Sequence, residues 1–465
     1  MCKHETKQEV LRDMLLRFSI KGYKMYMDRA TLNMEAAPKQ KDLEYSLLHE
    51  TVAGRQRKGT CTAVIYGPNA AGKSALVTAL ADFQGIVGRG GLSADGAGRD
   101  LSLVPCSFAD GPSPTTFEVS FTRDGSLYEY SVTADLGRFG HPRDPRRVVA
   151  EHLSMDGHDV FSREGDAVAV EVHAALEARF AQAYVANREA ADALLSAVEP
   201  GDLFLDNGFR TIVSPTIARE VSTWFSDDLM VVTHANEASV FPMEEEVYDF
   251  LGTHFTEAAG IFGASGGSLA FLKREGSTDP AKLYTAVGTS QGTVVVPSDK
   301  YESLGTTRFL NMLPFVEVAL SQGKVLVMDE LDASLHPMAV MSIVNAFHDD
   351  GTNRRGAQLI FTTHNPILLD GSLFRRDEIK IVDPGEAGGG SVTYALSDFG
   401  TSGSAGVRRG EDYQRNYFMG RYGGIRDVDL VPFLREQVER GLTMDLTPEG
   451  EIGGDARAAT TGEAV

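Results

Sequence analysis

Thr62-Ala-Val-Ile-Tyr66, Gly67-Pro-Asn-Ala-Ala-Gly-Lys-Ser74 and Ala75-Leu-Val-Thr-Ala-Leu80 follow one another without a break, and their reading decides the fold. The first run is apolar and rich in β-branched residues, the last is helix-forming, and the octet between them joins a buried strand to a helix N-terminus. That is the context in which a Gly-x-x-x-x-Gly-Lys-Ser loop binds phosphate. Gly67 and Gly72 let the backbone turn its N–H groups toward an anion, with the positive end of the helix dipole behind them. The whole loop, Gly67, Pro68, Asn69, Ala70, Ala71, Gly72, Lys73 and Ser74, is therefore the candidate nucleotide site. Lys73 is expected to reach the β and γ phosphates of ATP, and the Ser74 hydroxyl to ligate Mg²⁺.

Composition sets outer bounds. A chain of 465 residues with 42% hydrophobic content has ample material for a packed core, and its length allows about three domains or one ATPase core carrying an insertion. No apolar run is long enough to span a membrane, and Met1-Cys-Lys-His-Glu-Thr-Lys is too polar for a signal peptide, so a cytoplasmic protein with no membrane contact is expected. Cys2, Cys61 and Cys106 are too scattered for a disulfide framework or a zinc site. A net charge of -21 argues against a surface broadly suited to nucleic acid. DNA contact is left to local basic patches: Arg354-Arg355, Arg375-Arg376, Arg408-Arg409, the series Arg415, Arg421 and Arg426, and the loop with Arg143, Arg146 and Arg147. For each, a solvated or salt-bridged role is the stronger expectation.

Along the chain, Leu15 to Ile20 and Ala30 to Met34 alternate as a strand pair, an edge on which a base could rest, with Tyr23 and Tyr26 between them as stacking or packing residues. Residues 37–59 read as a polar loop. Thr116–Thr122 and Leu127–Thr133 flank an Asp-Gly turn and predict a hairpin; Val148–Ser154 and Val160–Arg163 predict a second. From Glu171 to about Gly263 the apolar period becomes helical, as at Val172, Ala175, Leu176 and Phe180. Strand-like pieces return at Leu269–Lys273 and Thr293–Val296, and Thr447 to Val465 has the composition of a disordered tail.

The rest of the candidate site lies downstream. Lys324-Val-Leu-Val-Met-Asp329-Glu330 is an apolar strand ending in two carboxylates, placing Asp329 to hold the Mg²⁺ shell and Glu330 to polarise an attacking water. Glu302-Ser-Leu-Gly-Thr-Thr-Arg-Phe-Leu310 precedes it and leads into an apolar helix, so Ser303, Gly305 and Thr306 offer hydroxyls and N–H groups to an anion. Phe361-Thr-Thr-His-Asn-Pro366 ends the next strand, where His364 can sense a phosphate.

GPNAAGKS, ESLGTTRFL, VLVMDELDASLHP and QLIFTTHNPILLD together resemble ABC-class ATPases of the SMC and overcoming-lysogenization (OLD) kind. LLRFSIKGYKMY, RRDEIKIVD, TYALSDFG and NYFMGRYGGI are similar to the abortive-infection, RloA-like ATPases of bacteria, which include the ATPase subunits of PARIS-type phage-defence pairs. The resemblance implies an α/β fold: an ABC/SMC-type P-loop ATPase head, a mixed sheet with helices and an antiparallel β-lobe, interrupted by a helical insertion. It divides the chain into a polar extension (1–12), a first head part with P-loop and β-lobe (13–170), the insertion (171–265), a second head part with the C-terminal region (266–440) and a tail (441–465). It implies catalytic roles for Lys73, Glu330 as base and His364 as switch, with Ser74 and Asp329 on Mg²⁺. Ser303, Gly305 and Thr306 would meet ATP held by a second subunit, and Asp332 would couple two composite sites in a homodimer or higher oligomer. Partners would be a nuclease-type effector and a phage trigger protein. Two features depart from the family: the signature is Ser-Leu-Gly-Thr-Thr rather than Ser-Gly-Gly-Gln, and Gln84 falls in or just after the P-loop helix rather than in a Q-loop. An SMC-like DNA-clamping ATPase is the alternative, while an OLD-type nuclease lacks its acidic constellation and a transporter ATPase would have no such insert.

Overall fold

Thr62–Tyr66, buried at all five positions, sits in the middle of a parallel sheet. The computed structural model describes residues 12–38, 40, 43–92, 103–108, 111, 113–141, 144–193, 195, 198–233, 249–250, 253–261, 263, 267–272, 282–385, 389–401, 406–408, 410–426 and 429–439. Arg143, Arg409, the expected extension short of Arg12 and the expected tail lie outside them. In chain order the elements are β1 (Met14–Lys21), β2 (Ala30–Asn33), β3 (Leu47–Val52), β4 (Arg55–Thr60), β5 (Thr62–Tyr66), α1 (Lys73–Arg89), β6 (Thr115–Arg123), β7 (Ser126–Asp135), β8 (Arg147–Met155), β9 (His158–Glu164) and β10 (Ala167–Val170). Then come α2 (Pro215–Thr223), β11 (Leu229–Val232), β12 (Asp249–Phe250), α3 (Thr253–Ile261), β13 (Ser268–Leu272), β14 (Lys282–Thr289), β15 (Gly292–Pro297), α4 (Leu304–Gln322), β16 (Val325–Met328) and α5 (Pro337–His348). The last are β17 (Gln358–Thr362), β18 (Ile379–Asp383), β19 (Val392–Ala395), α6 (Tyr413–Phe418) and α7 (Val431–Glu439). The chain divides after Ile425 into two units; α7 belongs to the second, and everything below concerns the first.

The central sheet has the order β11-β16-β17-β5-β18-β19. Its first five strands run parallel, and β19 returns antiparallel to β18. Continuous apolar runs suit this position, because a parallel sheet is covered on both faces. A seven-stranded antiparallel sheet, β10-β9-β8-β7-β6-β1-β2, forms the β-lobe, and both predicted hairpins are in it, as β6–β7 and β8–β9. Its inward side chains close on α1: Phe83 stacks on Phe117 and Tyr130 with centroids 5.4 and 5.8 Å apart. A four-stranded antiparallel sheet, β12-β13-β14-β15, precedes α4.

Two expectations are corrected. Residues 37–59 contain the ribbon β3–β4 rather than only a loop. Its polarity hid it, since the strands pair in register from Leu47↔Thr60 to Val52↔Arg55 and bury only Leu48 and Val52 against Met14, Leu16 and Leu127. Its turn, Ala53-Gly54, has φ of 48° and 74° yet lacks the Asn or Asp that usually marks such a turn. Residues 171–265 are not all helical either. Among the described residues helical turns lie within 177–192 and 205–228, but Leu229-Met-Val-Val232 is the outermost strand of the central sheet, paired in parallel with Val325–Met328, and β12 follows. A short apolar run cannot be divided between buried strand and buried helix by periodicity. Of the face proposed for the first helix, Leu176 and Phe180 are buried but Ala175 is exposed.

Candidate nucleotide-binding site

Parallel strands send their following loops to one sheet edge, where ligands of open α/β sheets bind. Here β5 delivers the loop 67–74, β16 delivers Asp329 and Glu330, and β17 delivers His364, from strands adjacent in the order β16-β17-β5.

At Gly67 a Cβ would run into the carbonyl oxygen of Val382 on β18, and Gly72 has a φ of 113°, so both positions demand glycine. No side chain caps the N-terminus of α1, which leaves its first-turn N–H groups for another acceptor. Lys73, 5% exposed, donates from Nζ to the Gly67 and Pro68 carbonyls at 2.8 and 3.1 Å. Burial lowers its pKa to about 8, against the opposing pull of Asp329, Glu330 and Asp332. Ser74 and Asn69 are exposed at the loop. Tyr23 and Tyr26 brace this region from behind and are fully buried. The Tyr23 hydroxyl donates to Asp82 on α1 at 2.5 Å and that of Tyr26 to the Gly72 carbonyl at 2.8 Å. They pack, and are not open to stack on a base.

The Asp-Glu turn is pinned from two neighbouring strands. Asp329 N–H donates to Val232 O at 3.0 Å and Leu331 N–H to Thr362 O at 3.2 Å. The Thr362 hydroxyl donates to Asp329 Oδ1 at 2.5 Å and accepts from Glu330 N–H at 2.7 Å. Glu330 itself is left-handed, with φ of 49°, and its carbonyl accepts from Arg308 Nη2 at 2.6 Å. Arg308 is nearly buried on α4, and burial lowers its pKa against the attraction of Glu330, Asp332 and Asp329. His364 has its pKa lowered by burial and then by the Lys73 charge, with Asp332, Glu330 and Asp329 pulling it back up. These mutual effects place Lys73, Asp329, Glu330, Asp332 and His364 in one electrostatic cluster.

Ser303 caps α4: its Oγ accepts from Thr306 N–H at 3.1 Å and meets Thr306 Oγ1 at 2.8 Å. A Cβ on Gly305 would lie 2.5 Å from the Ser334 carbonyl oxygen, so this turn packs closely on the segment following Asp332. Among the described residues, no hydrogen bond or ion pair links residues 303–306 to residues 67–74. Gln84 lies inside α1, where its amide donates to the Phe225 and Leu229 carbonyls at 2.6 and 2.8 Å. It clamps the start of β11 and serves no Q-loop.

The geometry fits ATP with Mg²⁺: an uncapped helix N-terminus, a lysine folded over the loop, and a carboxylate at the adjoining strand ends. No group of three or more His, Cys, Asp or Glu side chains suited to a metal occurs among the described residues. None is required, because Mg²⁺ in such sites keeps waters and substrate phosphates in its shell. Sequence reasoning missed Thr362 and Arg308, though both fall within motifs it quoted.

The profile of the family described as "AAA domain, putative AbiEii toxin, Type IV TA system" matches residues 63–370. No curated protein matches the chain. Similar solved structures include an SMC head bound to the C-winged helix domain of ScpA, at 14% identity and TM-score 0.37, covering 82% of this chain and 97% of that one. The SMC head domain from Thermotoga maritima follows at 13% and 0.33, covering 82% and 98%. The Smc head with an extended coiled coil bound to the C-terminal domain of ScpA from Pyrococcus furiosus stands at 15% and 0.37, covering 82% and 96%. No helix among the described residues is long and apolar enough to cross a membrane.

Proposed function

Because this chain belongs to the AAA-domain family of the AbiEii, type IV toxin–antitoxin kind and is a P-loop ATPase, we propose that it is the ATP-hydrolysing switch subunit of a bacterial anti-phage, abortive-infection complex. In this reading ATP-driven dimerisation controls a partner effector of the Toprim-nuclease type, as in PARIS-type pairs, after a phage trigger is met in the cytoplasm.

The observation that supports it is the convergence of Lys73, Asp329, Glu330, Asp332 and His364 at one sheet edge, with the Ser303–Thr306 turn unbonded to its own P-loop. A half-site of this kind calls for a second copy. Lys73 then binds the β and γ phosphates, with the P-loop amides around them. Ser74 and Asp329 would hold the Mg²⁺ shell, and Mg²⁺ would supply charge neutralisation at the phosphates. Glu330 takes the proton of the attacking water, and His364 reports whether the γ-phosphate is present. Ser303, Gly305 and Thr306 contact ATP on the partner copy, and Asp332 links the two sites.

Direct DNA clamping competes with this reading, although part of the basic character of the C-terminal third is engaged within the fold. Arg375 is buried against Asp377 at 2.9 Å, Arg376 donates to Val407 O at 2.6 Å, and Arg421 pairs with Glu411 at 2.8 Å. The test is ATP turnover of the unaltered protein, Lys73→Ala and Glu330→Gln, with and without DNA. Loss in both variants, with nucleotide binding retained only by Glu330→Gln, is expected. Unaffected turnover in both would refute the site, and severalfold stimulation by DNA at moderate salt would favour the clamp.

A further inference from the structure

We propose that Thr362 is the positioning residue of this ATPase site: its one hydroxyl fixes both carboxylate-bearing residues of the Asp-Glu turn. Thr362 is the last residue of β17 and is fully buried, as is the whole strand. Three consecutive residues of the neighbouring loop hang on it: Asp329 through its side chain, Glu330 through its N–H, and Leu331 through its N–H.

The direction of these bonds follows from chemistry. A hydroxyl has one proton and two acceptor lone pairs. Glu330 N–H can only donate, so it takes a lone pair, at 2.7 Å. The single hydroxyl proton therefore goes to Asp329 Oδ1, at 2.5 Å. Thr362 thus holds Asp329 as an acceptor through Oδ1 and leaves Oδ2 for the metal shell. At the same time it anchors the N–H of a residue whose backbone is left-handed, at φ of 49°, an unfavourable conformation for a non-glycine residue. Arg308 holds the other side of the same residue through its carbonyl. Without the hydroxyl, the Glu330 N–H loses its acceptor while the carbonyl keeps its bonds from Arg308 and Ala333, and the Asp329 carboxylate loses the donor that orients it. A valine fills the same volume but supplies neither bond.

This inference rests on the reading of Asp329 and Glu330 given above, and the experiment separates the two. Thr362→Val, Thr362→Ser, Lys73→Ala and the unaltered protein are compared for ATP turnover, for Mg²⁺ dependence of binding of a fluorescent ATP analogue, and for thermal unfolding. Thr362→Val is expected to lower kcat by about tenfold to a hundredfold, the range lost when the outer-shell partner of a metal-ligating group is removed. It should raise the Mg²⁺ concentration for half-maximal nucleotide binding severalfold and leave Mg²⁺-free binding unchanged. Thr362→Ser, which keeps the hydroxyl, should restore both. The inference is overturned if Thr362→Val matches the unaltered protein in kcat and Mg²⁺ dependence, or if the folded Thr362→Ser is as impaired as Thr362→Val, which would assign the effect to the methyl group. Should Lys73→Ala retain turnover, it is the site reading that fails, whatever Thr362 does.

Discussion

Replacing Glu151 by Gln should change how stability depends on pH, because this carboxyl is buried where three donors meet. Glu151 lies on β8 at 1% exposure. Its Oε1 accepts from the Tyr130 hydroxyl at 2.9 Å and Leu205 N–H at 3.0 Å, and Oε2 accepts from Phe204 N–H at 2.6 Å. It thereby ties the β-lobe to the start of the helical segment 205–228. Burial raises its pKa from 4.5 to about 7, opposed by these bonds and by Arg163. A folded pKa above the unfolded one gives stability that is full below the unfolded value and lost as pH rises through the folded value. The loss is about 3 kcal/mol between about pH 4.5 and about pH 7.5, taking 1.36 kcal/mol per unit. Gln cannot ionise, so this slope disappears. Its NH₂ must also face an N–H donor, which costs about 1–3 kcal/mol at every pH. Glu151→Gln is therefore destabilising near about pH 5 and close to neutral near about pH 8. Trp224, the one tryptophan of the chain, reports on the joint directly, since it stacks on Phe121 of the lobe at 4.2 Å. Urea unfolding followed by its fluorescence gives the comparison. A stability difference between the two proteins that stays constant from about pH 5 to about pH 8 would refute the reasoning.

Gly305→Ala should reduce turnover at least tenfold while leaving single-copy ATP binding intact, because its Cβ meets the Ser334 carbonyl at 2.5 Å and must displace the signature turn; parallel kinetic and binding titrations check this. Lys73, lowered to about 8, should return toward its ordinary value beside phosphate, so ATP binding above about pH 8 takes up a proton and weakens as pH rises; calorimetry in buffers of differing ionisation enthalpy measures the uptake. Gln84→Leu leaves the Phe225 and Leu229 carbonyls without their amide donor and should cost about 1–3 kcal/mol of stability, read as a lower unfolding midpoint.

Where the sequence carries chemistry in fixed spacing it was legible. Gly67–Ser74 and Val325–Glu330 could be placed on a strand end and a helix start, because phosphate binding requires that arrangement of backbone and Lys. Thr362 and Arg308 were not legible as partners of Glu330. A threonine in a strand and an arginine in a helix are ordinary, and their roles depend on which strand and helix become neighbours. Leu229–Val232 failed for a related reason: four apolar residues give no period, and only pairing with β16 makes them a strand. The ribbon β3–β4 failed in the opposite way, since its polar residues give no apolar alternation and only its pairing register marks it as two strands.

If each site is completed by a second copy, two inactive variants should restore one another when mixed. Lys73→Ala removes the phosphate-binding half and Gly305→Arg the signature half, so each alone should be inactive. In a two-fold dimer of one of each, one site keeps an intact Lys73 and an intact facing signature turn. With random pairing, half the dimers carry one sound site of two, so an equimolar mixture should recover up to about a quarter of normal turnover. No recovery from the mixture, while both folded variants still associate, would contradict the composite site.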